Sequence, residues 1–105
     1  MKLEACIETL EEAQIAAKHK IDRVELCSAL DLGGLTPSAG LIKSVSEHIE
    51  TQVMIRPRAG NFVYTTAEMA LMLSEIEMAK KIINSSRILF FMSSLNLVII
   101  ASNLF

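Results

Sequence analysis

The chain has few cysteines, prolines and glycines, and it has no excess of basic side chains. Its 105 residues include two cysteines, two prolines and four glycines, and 10 basic against 12 acidic residues give a net charge of −2. A charge this close to neutral excludes the strong electrostatic attraction of nucleic-acid-binding and membrane-surface domains. Two cysteines outside a CxxC pair are too few for a secreted disulfide scaffold. We therefore expect neither nucleic acid nor a membrane as a partner.

The N-terminus lacks the charged and then apolar leader that is typical of secreted proteins. It begins on the strand-like segment KLEACI, in which Glu4 interrupts the apolar residues. The chain also has no low-complexity segment and no linker, and its length allows one domain at most. These absences favour a cytoplasmic protein in which both cysteines stay reduced.

The sequence does contain a repeated pattern of strand, loop and helix. Strands are predicted at residues 2–7, 22–27 and 53–56. The capping-box spacing of Thr9 and Glu12 opens the first helix, and Thr36 before a proline opens the second. A further capping box at Thr65 opens the third helix, whose predicted apolar stripe comprises Met69, Met72, Leu73, Ile76 and Ile83. This order predicts an α/β protein with a parallel sheet.

One face of the predicted sheet carries polar side chains. Because side chains alternate along a strand, Glu4 shares a face with Cys6, and Glu25 shares one with Cys27. The third strand adds Met54, Arg56 and Arg58. A purely structural barrel interior is filled with Val, Ile and Leu, and buried charges are costly unless they pair. We therefore expect the two glutamates to pair with the two arginines, either as a structural network or as part of a ligand site.

The two cysteines suggest a metal site. Cys6 and Cys27 are predicted on neighbouring strands, which lie about 4.8 Å apart. If the two residues are level, their thiolates could hold a soft cation such as Cu(I), with Met54 as a third donor. A free cysteine is also common as a small buried hydrophobic residue, so both interpretations stay open here.

The segment Arg56-Pro57-Arg58 suggests an anion site at the end of the third strand. The proline keeps Arg56 extended, so both guanidinium groups could face one phosphate or carboxylate, with a glutamate as a base. Gly33 and Gly34 offer a second anion-binding candidate through their backbone N–H groups. They lack the GxxxxGK[ST] pattern of a P-loop, so a flexible loop between strand and helix is favoured over an anion site. The pattern assigns no catalytic residue.

The end of the chain departs from the repeated pattern. No charged residue follows Arg87, so residues 88–105 form a neutral, mostly apolar tail. Residues 88–91 could form a fourth strand, and an apolar helix could follow and cover the open side of the sheet. The tail has the minimum length of a membrane-spanning segment, although its serines and asparagines oppose that interpretation. We predict a partial β/α barrel over residues 1–87 and an atypical tail over 88–105.

Three segments resemble the copper homeostasis protein CutC family: KLEACIETLEEA, DRVELCSALDLGGLTPSAGLIKSV and VMIRPRAGNFVYT. The resemblance covers about residues 1–81. It implies a TIM-barrel type of fold, of which the chain would hold about three βα units, as a truncated or frameshifted reading frame would produce. Lys20 replaces a glycine of the family pattern, and Asn61 replaces an aspartate.

The resemblance implies a cytoplasmic protein associated with copper handling, a family in which Cu(I) binding is proposed for some members. Its cysteines and polar strand-end residues correspond here to Cys6, Cys27, Glu4, Glu25, Arg56 and Arg58. Our preferred hypothesis is a Cu(I) site at the two cysteines. The alternative is a TIM-barrel enzyme or binding module for a small phosphorylated or carboxylated molecule, held by the arginines and glutamates. Unpaired edges of a partial barrel also predict self-association.

Overall fold

A computed structural model describes residues 2–83, 87–92 and 97–102, the last two segments by their backbone alone. Its elements, in chain order, are β1 (Glu4–Ile7), α1 (Leu10–Lys18), β2 (Arg23–Leu26), α2 (Ala39–Ser46), β3 (Glu50–Ile55), α3 (Thr66–Ile82), β4 (Arg87–Met92) and β5 (Leu97–Ser102). The three predicted strands and three predicted helices are all present. The third strand begins three residues earlier than residue 53, at Glu50.

The strands form one five-stranded sheet in the order β1-β2-β3-β4-β5. Strands β1, β2, β3 and β4 pair in parallel with one another, and the connections between them carry the three helices. This confirms the predicted α/β class with parallel βα repeats. Strand β5 is different, because it pairs antiparallel with β4.

The tail contributes two strands to the sheet. The predicted fourth strand is confirmed as β4, which pairs with β3. The prediction of a helix after this strand is wrong for residues 97–102, because they form β5. Residues 93–96 and 103–105 of the predicted tail lie outside the described residues. Over the part of the chain that the structure describes, no helix combines the length and apolar character needed to cross a membrane.

The helix starts follow local side-chain bonds. The capping boxes at Thr9 and Thr65 are confirmed at α1 and α3. The predicted cap of α2 is wrong, because Ser38 caps this helix and its hydroxyl accepts from the N–H of Leu41. The Thr36 hydroxyl instead accepts from the N–H of Arg56 at 2.8 Å, which keeps Thr36 in the loop beside β3. The helix therefore starts at Ala39.

The main core lies between the helices and one face of the sheet. The sheet contributes Val24, Leu26, Val53 and Ile55, all 0% exposed. Helix α3 adds Met72, Ile76 and Ala79. Met69 and Leu73 are 36% and 53% exposed, so their place in the predicted stripe is wrong. Residues 72, 76 and 79 occupy one helical face, and Leu73 lies about 100° around the axis from Met72. The core leaves the opposite face of the sheet to the polar residues.

Candidate functional site

The candidate site lies on the polar face of the sheet, where β1, β2 and β3 align their side chains in rows. Cys6 is the register partner of Glu25, and Glu25 is the register partner of Gln52. One row nearer the amino ends of the strands, Glu4 is beside Arg23. Register partners point to the same side of a sheet, so Cys6 and Glu25 are neighbours on this face.

Cys6 and Cys27 bring their sulfur atoms within 4.0 Å of each other. The Cys27 sulfur also lies 4.0 Å from Oε1 of Glu25. The ligand atoms of these three residues all lie within 4.8 Å of one another, and both cysteines are free thiols. The three side chains therefore form a compact group of metal donors. Glu25 is the member that the two-thiol hypothesis left out, although alternation along β2 places it on the face of Cys27.

The two thiols differ in exposure. Cys27 is 1% exposed, whereas Cys6 is exposed on the open face of the sheet. Met54 and Leu30 pack against Cys27, and Met54 is itself 1% exposed. The proposed third donor is therefore in contact with the buried thiol, and solvent reaches the pair through Cys6.

Burial and like charge raise the pKa of each group in this site. Burial is the largest cause of the strongly raised pKa of Cys27, and Cys6 and Glu25 add to it. Burial is also the largest cause of the raised pKa of Cys6, and the negative charge of Glu25 is the second largest. The pKa of Glu25 is raised by burial and then by Glu4. A cation placed among these groups would favour their ionised forms, because it offsets both causes.

Glu4 pairs with a residue that the sequence analysis did not consider. Arg23 lies beside Glu4 in the register of β1 and β2, and its Nε donates to the Glu4 carboxylate. Within residues 2–83, Glu25 makes no ion pair. The predicted pairing of these glutamates with the arginines after β3 is therefore wrong. The signal was present, because Arg23 precedes Glu25 by two residues and so shares its face of β2.

Arg56 reaches into the loops at the carboxyl ends of the strands, where it is 6% exposed. Its Nη1 donates to the carbonyl oxygens of Leu32 at 2.7 Å and Gly34 at 3.1 Å. Its Nη2 donates to the carbonyl oxygen of Gly60 at 3.1 Å, and the guanidinium lies 5.0 Å from the centroid of the Phe62 ring. Arg56 therefore ties the loop after β2 to the loop after β3.

Arg58 binds acceptors at the start of α3. Its Nε pairs with Glu68, the acidic member of the capping box. Its remaining N–H groups donate to the backbone carbonyls of Ala59, Asn61 and Val63. The two arginines thus bind different protein acceptors, which leaves fewer donors for a shared anion. The capping-box spacing predicts only the role of Glu68 at the start of α3, because spacing along the chain gives no sign of its bond to Arg58.

The glycine pair uses its N–H groups within its own loop. Gly33 donates to the carbonyl of Leu30 at 2.9 Å, and Gly34 donates to that of Ala29 at 3.1 Å. Both glycines have positive φ values, 92° and 95°, which suit this tight turn. These bonds occupy the N–H groups that the anion-binding alternative requires, so the structure agrees with the loop interpretation that the missing P-loop pattern favours. The carbonyl of Gly34 faces the Arg56 guanidinium instead.

Comparison with known proteins gives consistent matches. The model of the CutC family matches residues 1–96, which reaches beyond residue 81, the predicted end of the resemblance. The chain is 48% identical over 84 residues to a family protein CutC from Pasteurella multocida, and 49% identical over 84 residues to a copper homeostasis protein cutC homolog from Caenorhabditis elegans. These alignments cover 78% and 77% of this chain, and 34% of each relative. The chain therefore spans about a third of the length of the curated relatives it matches.

A solved structure gives the same assignment. The crystal structure of a CutC protein from Streptococcus agalactiae matches with a TM-score of 0.78 at 38% identity, over 90% of this chain and 48% of that chain. That protein has a TIM-barrel fold, so the parallel βα repeats of this chain correspond to part of a barrel of that type. By sequence and by structure, the chain belongs to the CutC family.

Proposed function

We propose that this chain takes part in copper homeostasis by binding Cu(I) between Cys6 and Cys27. The observation that carries the proposal is the 4.0 Å separation of the two sulfur atoms. Metal–sulfur bonds are about 2.3 Å long in protein zinc sites, so two sulfurs on one ion lie at most roughly 4.6 Å apart. Cu(I) is a soft ion that thiolate and thioether ligands select. The donor set and its spacing therefore fit this ion.

Met54 and Glu25 support the site in different ways. Met54 packs with Cys27 in one buried cluster, so we propose its thioether as a third soft donor. The Glu25 carboxyl lies 4.0 Å from the Cys27 sulfur, and we propose that it can accept the proton that this thiol releases when the ion binds. In this arrangement the two thiolates supply the bonds and offset the charge of the ion, which makes its burial less costly.

The name of the Caenorhabditis elegans relative supports the same role, because it is a copper homeostasis protein cutC homolog. We propose a cytoplasmic location as well, since a reducing compartment keeps Cys6 and Cys27 as the thiols that Cu(I) binding needs. The proposal concerns the metal-binding step of this chain. It extends no activity of the longer relatives to a chain that covers 34% of their length.

The test is titration of the full chain with Cu(I) in competition with a Cu(I) chelator. We expect one ion per chain, binding weakened at least tenfold in Cys6→Ser and in Cys27→Ser, and no binding in the double variant. Met54→Leu nearly conserves volume, so a weakening in this variant reports loss of the thioether rather than a packing defect. Stoichiometric binding that survives in the double cysteine variant would remove these residues from copper chemistry.

A small phosphorylated or carboxylated ligand held by Arg56, Arg58, Glu4 and Glu25 is the second candidate. It has less support, because both arginines donate to protein acceptors and Glu4 pairs with Arg23. Inorganic phosphate is the probe. This candidate would be favoured if phosphate raised the melting temperature of the parent chain more than chloride does at equal ionic strength. The rise should be absent in Arg56→Ala.

A further inference from the structure

The loop that follows β2, residues 28–35, closes on itself directly above the buried thiol. Its two ends are joined by the N–H of Ser28 to the carbonyl of Leu35 at 2.8 Å, and by the reverse bond at 2.7 Å. Between them lie a short 3₁₀ turn, Leu30–Leu32, and the glycine pair. We call residues 28–35 the covering loop. Its closed shape makes it a compact unit that can rest on a neighbouring surface.

The covering loop lies against Cys27. Leu30 packs against the cluster formed by Cys27 and Met54, and a Cβ placed on Gly34 would lie 3.2 Å from the Cys27 sulfur. Cys27 is 1% exposed, although Cys6, whose sulfur lies 4.0 Å away, is exposed. Cys27 therefore owes much of its burial to this loop as well as to the strands.

Two charged side chains fasten the covering loop from opposite sides. On the side of β1, Oε2 of Glu8 accepts from the N–H of Leu30 at 3.0 Å. On the side of β3, Nη1 of Arg56 donates to the carbonyls of Leu32 and Gly34. Hydrogen bonds to a charged group are stronger than those between neutral groups, and those of Arg56 are shielded from water. The contact is close, since a Cβ on Gly33 would lie 2.9 Å from Nη1 of Arg56.

We propose that Arg56 is a positioning residue for Cys27. It holds the covering loop against the Cys27 thiol and so confines access to this thiol to the side of Cys6. As far as copper is concerned, this inference rests on the proposed function, because it names the residue that keeps the inner sulfur ligand covered. The role differs from the anion binding first expected of Arg56, since the guanidinium acts on loop carbonyls.

The test is the alkylation of each thiol in the metal-free full chain by iodoacetamide, followed by mass spectrometry of the peptides. In the parent chain we expect Cys6 to react much faster than Cys27. Arg56→Gln should raise the Cys27 rate at least tenfold and leave the Cys6 rate unchanged. Arg58→Gln is the matched control, because this arginine also binds loop carbonyls but none in the covering loop. It should leave both rates unchanged.

Urea separates local opening of the loop from loss of the fold. Local opening exposes little surface, so the Cys27 rate in Arg56→Gln should barely respond to low urea, whereas reaction through global unfolding rises steeply. Gly34→Ala is the second variant, for use if Arg56→Gln does not fold. Its added methyl group would lie 3.2 Å from the Cys27 sulfur at a residue with a φ of 95°, which strains the covering loop, so we expect the Cys27 rate to rise.

Several results would overturn the proposal. These are an unchanged Cys27 rate in a folded Arg56→Gln or Gly34→Ala chain, an equal rise in Arg58→Gln, and a rise for both thiols that follows urea. The outcome is independent of copper. Selective exposure of Cys27 in a chain that binds no Cu(I) would refute the proposed function and retain the role of Arg56, while Cu(I) binding without selective exposure would refute only the latter.

Discussion

Two residues other than glycine adopt a left-handed backbone, Lys20 with a φ of 61° and Ala29 with a φ of 49°. Lys20 follows α1, and its N–H donates to the carbonyl of Ala17 at 3.2 Å, as at many helix ends. A side chain in this conformation crowds the following carbonyl oxygen. The resemblance described above implies a glycine at position 20, which would avoid this crowding. The left-handed backbone thus gives a physical reason for a glycine here, and nothing in the structure explains the lysine.

We expect Lys20→Gly to stabilise the chain by about 1 kcal/mol, because it removes the cost of a left-handed side-chain-bearing residue. The gain is reduced by the greater freedom of glycine in the unfolded chain. Urea denaturation measures the change. Lys18→Gly is the control, since Lys18 lies in the last turn of α1 and should lose up to about 1 kcal/mol. Destabilisation by both variants would contradict the expectation.

Glu75 of α3 predicts a dependence of stability on pH. Burial raises the pKa of its carboxyl, partly opposed by a bond from Thr36, and its Oε1 has no partner among the described residues. A raised pKa in the folded state means that stability is fully present below the unfolded pKa and is lost as pH rises through the folded one. Glu75→Gln avoids this loss, so its stability gain should be small near about pH 4 and larger near about pH 8.

Urea denaturation at the two pH values measures this gain. Glu77→Gln is the control, because Glu77 is exposed on the same helix. A gain of equal size at both pH values, or the same pH dependence in Glu77→Gln, would show that the Glu75 carboxyl is not its source.

At the scale of elements, local patterns predicted what depends on neighbours along the chain. Alternation along β1 and β2 placed Cys6, Glu25 and Cys27 on one face, and threonine with glutamate three residues later located α1 and α3. The arginine partners could not be predicted in this way. They depend on how the loops fold back over the sheet, and a loop carbonyl such as that of Leu32 leaves no trace in sequence.

The start of α2 shows the same limit and can be tested. Ser38→Ala removes the hydroxyl that accepts from the N–H of Leu41, so we expect a loss of about 1 kcal/mol of unfolding free energy. Ser44→Ala, inside α2, is the control and should be neutral or slightly stabilising, because alanine favours helices more than serine does. Equal effects of the two changes would mean that Ser38 is not the cap.

At the scale of the whole molecule, the first strand leaves one side of the sheet open. Within the described residues, β1 pairs only with β2. The carbonyls of Leu3 and Ile7 accept from the side of β2, so by alternation the N–H of Glu4 faces the free edge. Unpaired edges of this kind pair readily with other chains. We therefore retain the prediction that the chain self-associates, now assigned to β1.

Light scattering after size-exclusion chromatography tests this assignment. We expect the mass of the parent chain to rise with concentration and Glu4→Pro to shift it toward the monomer, because proline has no N–H to donate. Glu4→Ala is the matched control, since it loses the same bond to Arg23 but keeps the backbone N–H. A parent chain that stays monomeric at all concentrations would refute the prediction. An equal shift in both variants would show that self-association does not depend on the backbone N–H at the edge of β1.

Because Cys6 is exposed and Cys27 is buried, solvent and ligands can reach the pair of thiols from the side of Cys6. Under the proposed function, an arriving ion meets the outer sulfur first, and a thiol that accepts the ion from this chain attacks it from the same side. Release is then a bimolecular exchange rather than a simple dissociation. Its rate should rise with the concentration of the accepting thiol, so the chain would hold copper firmly in dilute solution and yield it quickly to a carrier.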